Sequence, residues 1–486
     1  MEKDREDLNA IKRKTVMSTL SLFFQSGYSS VLGLAANLVL TILLTPTTFG
    51  IYIATLSIIS ILNYFSDIGL AASLIQKKEV SREDEKTAFT IQQILVITLV
   101  VIGFTATSAI AEFYKLPKDG RFLYWALLAG FFLSSLKTMP SVLLEKEIKF
   151  EKVVLVQIIE NTFFYITVII LAIMGYGLNS FTVAVILRSL VGVVLIYRFS
   201  PWKISIGIDR SSYKKLISFG LPFQGSSLLA LVKDDLLTLY LGRVVGFAGL
   251  GYIGWAKKWA ESPIRIIMDS ISRVLFPLFS KFQTDRGRLS RLIEKIIHYQ
   301  SLLIIPAIVG MALVMSRIVA VIPKYSKWEP ALPLFYLFCL SALMSSYSTP
   351  FINFLNGIGR VKISFYFMVF WTALTWILTP ILISQYGHIG FPITMVILSS
   401  TFIIVVLITK RVVDFGFIKS ITPFIVSTAI MATVVSLSFN IPAPREVSLL
   451  IAISAGIISY ISSVKFIFKI DFATEIMDIL KSKKNG

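Results

Sequence analysis

Runs of roughly 20 apolar residues recur along the whole chain, separated by short polar links. This pattern limits the fold more than any motif does. A helix of about 20 residues crosses the hydrocarbon core of a bilayer. There, only helices and closed barrels satisfy their own backbone hydrogen bonds. About fourteen such segments can be drawn, the first six over 18–44, 50–75, 88–113, 122–144, 153–174 and 181–199. A polar linker at 200–215 follows. The remaining eight begin near positions 216, 249, 292, 331, 361, 389, 418 and 447. Composition agrees: 55% of the residues are hydrophobic and the mean hydropathy is +0.78. The expectation is an all-α polytopic membrane protein. The first apolar segment is too long for a signal-peptide core and reads as a signal anchor that stays.

The charges are few and uneven. Lys and Arg number 47 against 28 Asp and Glu, a net charge of +19. In a soluble chain this would suggest nucleic acid. Here the basic residues cluster in short loops, which indicates topology and contact with anionic headgroups instead. With the N-terminus inside, the cytoplasmic loops and termini hold about 32 Lys and Arg and the opposite set about 8. Both termini are therefore expected in the cytoplasm, around an even number of spans in the cytoplasmic membrane. No loop is long enough for a catalytic domain, and no GxxxxGK[ST] phosphate loop occurs. Two histidines and one cysteine, Cys339, make neither a disulfide nor a conventional zinc site. No catalytic constellation, metal site or cofactor is expected, and the chain reads as a non-enzyme.

Within 249–281, Lys257, Glu261, Arg265, Asp269 and Arg273 follow one another at steps of four. At 3.6 residues per turn they drift only about 40° per step and share one helix face. A charge at the bilayer centre costs roughly 2.5–3.5 kcal/mol, so five facing lipid would cost about 12–17 kcal/mol. The i,i+4 pairs return only about 0.2–0.5 kcal/mol each. The stripe must face protein or water, either lining a cavity for an anionic substrate or pairing with itself. Pro263 lies in the same segment and is expected to kink it.

Other charges interrupt the spans. Lys233, Asp234 and Asp235 are consecutive, so at most two share a face; one carboxylate is expected to meet a base and the other to titrate or bind a coupling cation. Asp67 reads as a helix cap or a cavity residue. Arg188 has no acid near it in sequence, and either a substrate phosphate or sugar or a partner from another helix is expected. His298 reads as an ordinary interface histidine and Trp328 as an outside interface anchor.

The chain also echoes itself. Phe24-Gln25-Ser26-Gly27 and Phe49-Gly50-Ile51-Tyr52 open the first two segments; Phe223-Gln224-Gly225-Ser226 and Leu250-Gly251-Tyr252 open the seventh and eighth. Repeats of this kind build two-lobed transporters around a central cavity.

The phrases FGLPFQGSSLL, LGRVVGFAGLGYI, SRVLFPLFSKFQTDRGRL, KWEPALPLF and FLNGIGRVKI, with TFGIY, DIGLAASLIQ and SPWK in the first half, resemble Wzx-type polysaccharide flippases. These belong to the superfamily that also contains multidrug exporters and peptidoglycan-precursor flippases. The resemblance implies an N-terminal lobe at 1–200, a cytoplasmic linker at 201–215, a second six-helix lobe at 216–411 and two further helices with a basic tail at 412–486. It implies alternating access and a polyprenyl-diphosphate-linked oligosaccharide as substrate. Membrane lipids and other polysaccharide-assembly proteins would be partners, and nucleic acid would not. Family members often carry an acid five residues before the glycine matching Gly242; Leu237 stands there instead. The residues expected in the substrate cavity are Lys257, Glu261, Arg265, Asp269, Arg273, Arg188 and Asp67, with Lys233, Asp234 and Asp235 as ion-coupling candidates. A drug or metabolite/cation antiporter of the same fold, and a membrane glycan polymerase or transferase, are the alternatives.

Overall fold

The computed structural model describes residues 2–225 and 228–470; the side chains at 2–20, 23, 222, 223, 225, 230, 269–274, 276 and 277 lie outside the description. The chain forms two compact units, Met1–Gly251 and Tyr252–Gly486. Every described element is helical.

The first unit contains α1 (Glu2–Leu43), α2 (Pro46–Asp67), α3 (Leu70–Gln76), α4 (Arg82–Thr105), α5 (Thr107–Tyr114), α6 (Lys118–Leu136), α7 (Thr138–Lys146), α8 (Phe150–Ile173) and α9 (Asn179–Phe199). Next come α10 (Arg210–Gly225), α11 (Leu228–Leu231), a π-helical turn at Val232–Leu236 and α12 (Leu237–Val244). The helix starts have local causes. Thr45 accepts the Thr48 N–H at 3.3 Å and Pro46 opens α2, where a missing N–H costs nothing. Ser81 and Asp84 form a reciprocal capping box at α4, and Lys77 closes on Asp84 at 2.6 Å. The core gathers around Leu123, Tyr124, Phe131, Val168 and Phe181.

Two features of this unit depart from a simple string of spans. The linker is tied down along α4. The Trp202 indole donates to Glu85 at 2.8 Å, Gly207 N–H to Thr90 at 2.9 Å and Asp209 N–H to Thr87 at 2.8 Å. The Ser212 N–H in turn bonds the Asp209 carboxylate at 2.8 Å and holds its pKa below the ordinary value. Second, α10–α12, assigned by sequence to the later lobe, make their contacts with α2, α3, α4 and α5 of the first half. Glycines permit the approach. A Cβ on Gly69, where φ is +76°, would strike the Gly220 backbone, and one on Gly50 would strike that of Phe247. A Cβ on Gly251 would strike Pro46, so the turns that echo one another in sequence touch in space.

Helix α13 (Gly246–Lys281) runs unbroken through Pro263 into the second unit. That unit continues with α14 (Arg286–Val321), α15 (Leu332–Gly357), α16 (Val361–Tyr386), α17 (Gly390–Ser400), α18 (Phe402–Lys410), α19 (Phe417–Ser438) and α20 (Arg445–Phe466). One core centres on Phe279, Phe351 and Phe354, and another on Leu302, Phe424 and Tyr460 between α14, α19 and α20. Eleven described stretches are long and apolar enough to cross a membrane. The difference from fourteen has a plain origin. Val361–Lys410 is one such stretch but holds α16 and α17–α18, and the charged segments at 210–281 fall outside the set.

Trp328 departs from its expectation. It is fully buried, stacked on Trp255 with centroids 5.5 Å apart, while the Trp255 indole donates to the Tyr325 hydroxyl at 2.9 Å. It anchors an aromatic core rather than an interface.

Gly69 and Gly175 provide a matched test, since both have positive φ but only Gly69 faces a neighbour within 4 Å. Gly175→Ala should cost only the backbone penalty of about 1–2 kcal/mol. Gly69→Ala should lower the unfolding temperature in detergent distinctly further. Equal losses would show that the Gly220 approach adds nothing.

Candidate functional site

A polar cavity of about 340 Å³ opens inside the first unit between α6–α9. Its walls follow from local chemistry. Pro140, in the first turn of α7, has no N–H to give the Leu136 carbonyl, so the helix breaks at Lys137. The Tyr197 hydroxyl takes that carbonyl at 3.1 Å. The break turns Lys137 onto Glu160 of α8, with Nζ to Oε1 at 2.5 Å. The Glu160 side chain is 5% exposed and that of Lys137 19%. Gly192 of α9 makes room, because a Cβ there would overlap the Glu160 carboxylate.

One turn earlier on α9, Arg188 enters the same cavity. Its guanidinium lies over the Phe164 ring at 5.6 Å, and the Tyr52 and Tyr165 phenols lie within reach of its charge. Among the described residues it makes no ion pair. Gln157 and Asn161 complete the polar wall. Gln157 is held by the Gln25 amide of α1, and the Tyr28 and Thr162 hydroxyls meet at 2.7 Å beside it. Lys137 and Glu160 neutralise each other and Arg188 leaves one net positive charge. The arrangement can hold an anionic group, with amides and hydroxyls to bond polar hydroxyls around it.

The remaining expected residues are distributed as follows. In the second unit, Glu261 lies 3.9 Å from Lys257 and 3.2 Å from Arg265, so this part of the stripe pairs along its own helix. The Arg265 side chain is nonetheless 67% exposed. The side chains of Asp269 and Arg273 lie outside the described residues. Asp67 accepts the Ala71 N–H at 3.1 Å across the left-handed residues Ile68 and Gly69, the geometry of a cap. Lys233, Asp234 and Asp235 occupy the π-helical turn, where the Ser60 hydroxyl of α2 bonds Asp235. Such turns insert one extra residue per turn and recur at functional sites. Of the expected residues, only Arg188 lies in the first unit's cavity. Lys137, Gln157, Glu160 and Asn161 were not anticipated, although a lone Lys and a lone Glu inside apolar runs signal that partners exist elsewhere.

Charges turned inward among helices long and apolar enough to cross a membrane define a polytopic membrane protein with a polar site between its spans. The comparisons with known proteins specify it further. Residues 39–333 match the family described as polysaccharide biosynthesis protein, and the chain belongs to that family. It is 27% identical over 354 residues to the lipopolysaccharide biosynthesis protein WzxC of Escherichia coli K12, covering 71% of this chain and 70% of that one. It is 22% identical to the succinoglycan biosynthesis transport protein ExoT of Rhizobium meliloti, covering 69% and 67%. Among solved structures, the lipid II flippase MurJ in an inward closed conformation aligns with a TM-score of 0.73 at 16% identity, over 93% of this chain and 99% of that one. An inward-facing multidrug resistance transporter of the MATE family aligns with a TM-score of 0.57 at 15% identity, over 80% of this chain and 94% of that one.

The ion pair yields a prediction. Removing one partner of a buried pair costs about 3–5 kcal/mol, whereas replacing both with apolar residues is far milder. Lys137→Met and Glu160→Gln should each lower the unfolding temperature in detergent more than Lys137→Met/Glu160→Leu does. Gly192→Ala should resemble the single changes. A double variant as unstable as the two singles combined would show that the pair is not coupled.

Proposed function

We propose that this chain moves a polyprenyl-diphosphate-linked oligosaccharide across the cytoplasmic membrane by alternating access. The observation that carries the reading is Arg188, a cation without a carboxylate partner among the described residues, in a polar cavity within membrane-spanning helices. A diphosphate supplies the missing counter-charge, and Gln157 and Asn161 suit sugar hydroxyls. No covalent chemistry is needed: the cavity lowers the barrier to carrying a polar headgroup through hydrocarbon. The names of the relatives, a biosynthesis transport protein and a lipid II flippase, fit a transporter and not an enzyme.

The architecture we infer has six-helix lobes at 1–200 and 216–411 joined by the linker at 201–215, with two helices and a basic tail at 412–486. The loop charge bias supports cytoplasmic termini. Lys257, Glu261, Arg265, Asp269 and Arg273 would supply a second set of headgroup contacts, Asp67 would border the path, and Lys233, Asp234 and Asp235 would serve coupling to an ion. The positive cavity disfavours a cationic drug as substrate. Other polysaccharide-assembly proteins would deliver or receive the lipid-linked unit.

Reconstituted protein should flip a fluorescent lipid-linked oligosaccharide in proteoliposomes. Arg188→Ala should slow this at least tenfold, corresponding to about 1.4 kcal/mol. Arg265→Ala with Arg273→Ala should also reduce it. Wild-type rates in a folded Arg188→Ala protein would remove Arg188 from the site.

A further inference from the structure

A second polar cavity, of about 470 Å³, lies in the second unit between the N-terminal part of α14, from Arg291 to Tyr299, and the first turn of α19, away from every residue placed in the substrate path above. Arg291, Lys295 and His298 fall at i, i+4 and i+7 on α14 and so share one face. Lys419 and Ser420 come from α19. The one acid in the lining, Glu294, accepts the Gly416 N–H at 2.7 Å and serves as a clip for the start of α19. Lys295 lies 5.6 Å over the Tyr299 ring and His298 meets Phe424 edge-on at 4.7 Å, which fixes the cavity wall. Arg291, Lys295 and Lys419 outnumber the single carboxylate, and the positive end of the α19 dipole adds to them.

The same helices carry an apolar groove of about 450 Å³ that starts one turn further along α14, at Leu302, and runs past Gly310 to Val314. Met431 and Val435 of α19 and Ile457 of α20 form its other walls. At 1.5 Å per residue, Leu302 to Val314 covers about 18 Å. That is close to the ~15 Å depth of one leaflet's hydrocarbon. The loop charge bias places the polar cavity at the cytoplasmic headgroup level, where basic pockets between helices take anionic lipid heads.

The geometry points to a binding site for an anionic glycerophospholipid of the cytoplasmic leaflet, its phosphate among Arg291, Lys295 and Lys419 and an acyl chain in the groove. The one-leaflet length of the groove favours such a lipid over a much longer polyprenyl chain. The site lies outside the proposed substrate cavity and does not depend on it.

Native mass spectrometry of the delipidated full-length protein tests this, with phosphatidylglycerol and phosphatidylethanolamine as probes. Phosphatidylglycerol should bind at least tenfold more tightly than phosphatidylethanolamine. Arg291→Gln/Lys295→Gln/Lys419→Gln should abolish that preference; these side chains are exposed, and an unchanged unfolding temperature would verify the fold. Gly310→Leu, whose Cβ would meet only the Met431 methyl at 3.6 Å, should weaken phosphatidylglycerol binding while leaving the charges intact. Undiminished preference in the triple variant would overturn the site. Inorganic phosphate competing as well as the lipid would overturn the acyl-chain assignment. Polyprenyl diphosphate displacing phosphatidylglycerol at equal concentration would overturn the choice of occupant.

Discussion

Hydrocarbon offers no partner to a charge, so each ionisable group within the spans must find protein, water or substrate. The first unit answers this with four helices acting together. Pro140 breaks the α6–α7 run, the break presents Lys137, α8 supplies Glu160, and α9 contributes both the gap at Gly192 and the charge of Arg188. None of these residues is placed by its own helix alone. The cavity is a property of how α6–α9 meet, and its net charge follows from which group is left over.

This explains what could be seen in the chain before its fold was known. The helical class was legible because each span carries its own signal, in length and apolarity. The stripe was legible because Lys257, Glu261 and Arg265 follow helical spacing, and its local pairing is what that spacing provides. Asp67 could be read as a cap because the left-handed turn beside it contains glycine. The pair Lys137–Glu160 could not be read, since the partners lie on different helices and only tertiary packing chooses between candidate bases. Trp328 was misjudged for a related reason: an indole flanked by Lys and Pro resembles an interface anchor until Trp255 and Tyr325 close around it.

The echo between the two halves is a contact as well as a repeat. Gly50 and Gly251 each lie where a side chain would strike the other segment's backbone. Both turns carry a glycine at the place where they touch. The same device recurs at Gly69 and Gly220, so close backbone approach joins α10–α12 to the first half. The linker, by contrast, is secured by side chains, with Glu85, Thr87 and Thr90 along one side of α4 as its attachment points.

The order of charges along the chain also bears on how the protein is made. Lys137 and Glu160 stand 23 residues apart on successive helices. They therefore emerge from the ribosome in sequence, and the base can meet its acid while the segment is still partitioning into lipid. A pair formed at that stage would enter as a neutral unit. Arg188 comes later, on α9, after the α6–α8 residues that line the same cavity. In chain order, then, the unbalanced charge follows the neutral pair, and α9, which carries it, brings the last wall of the compartment.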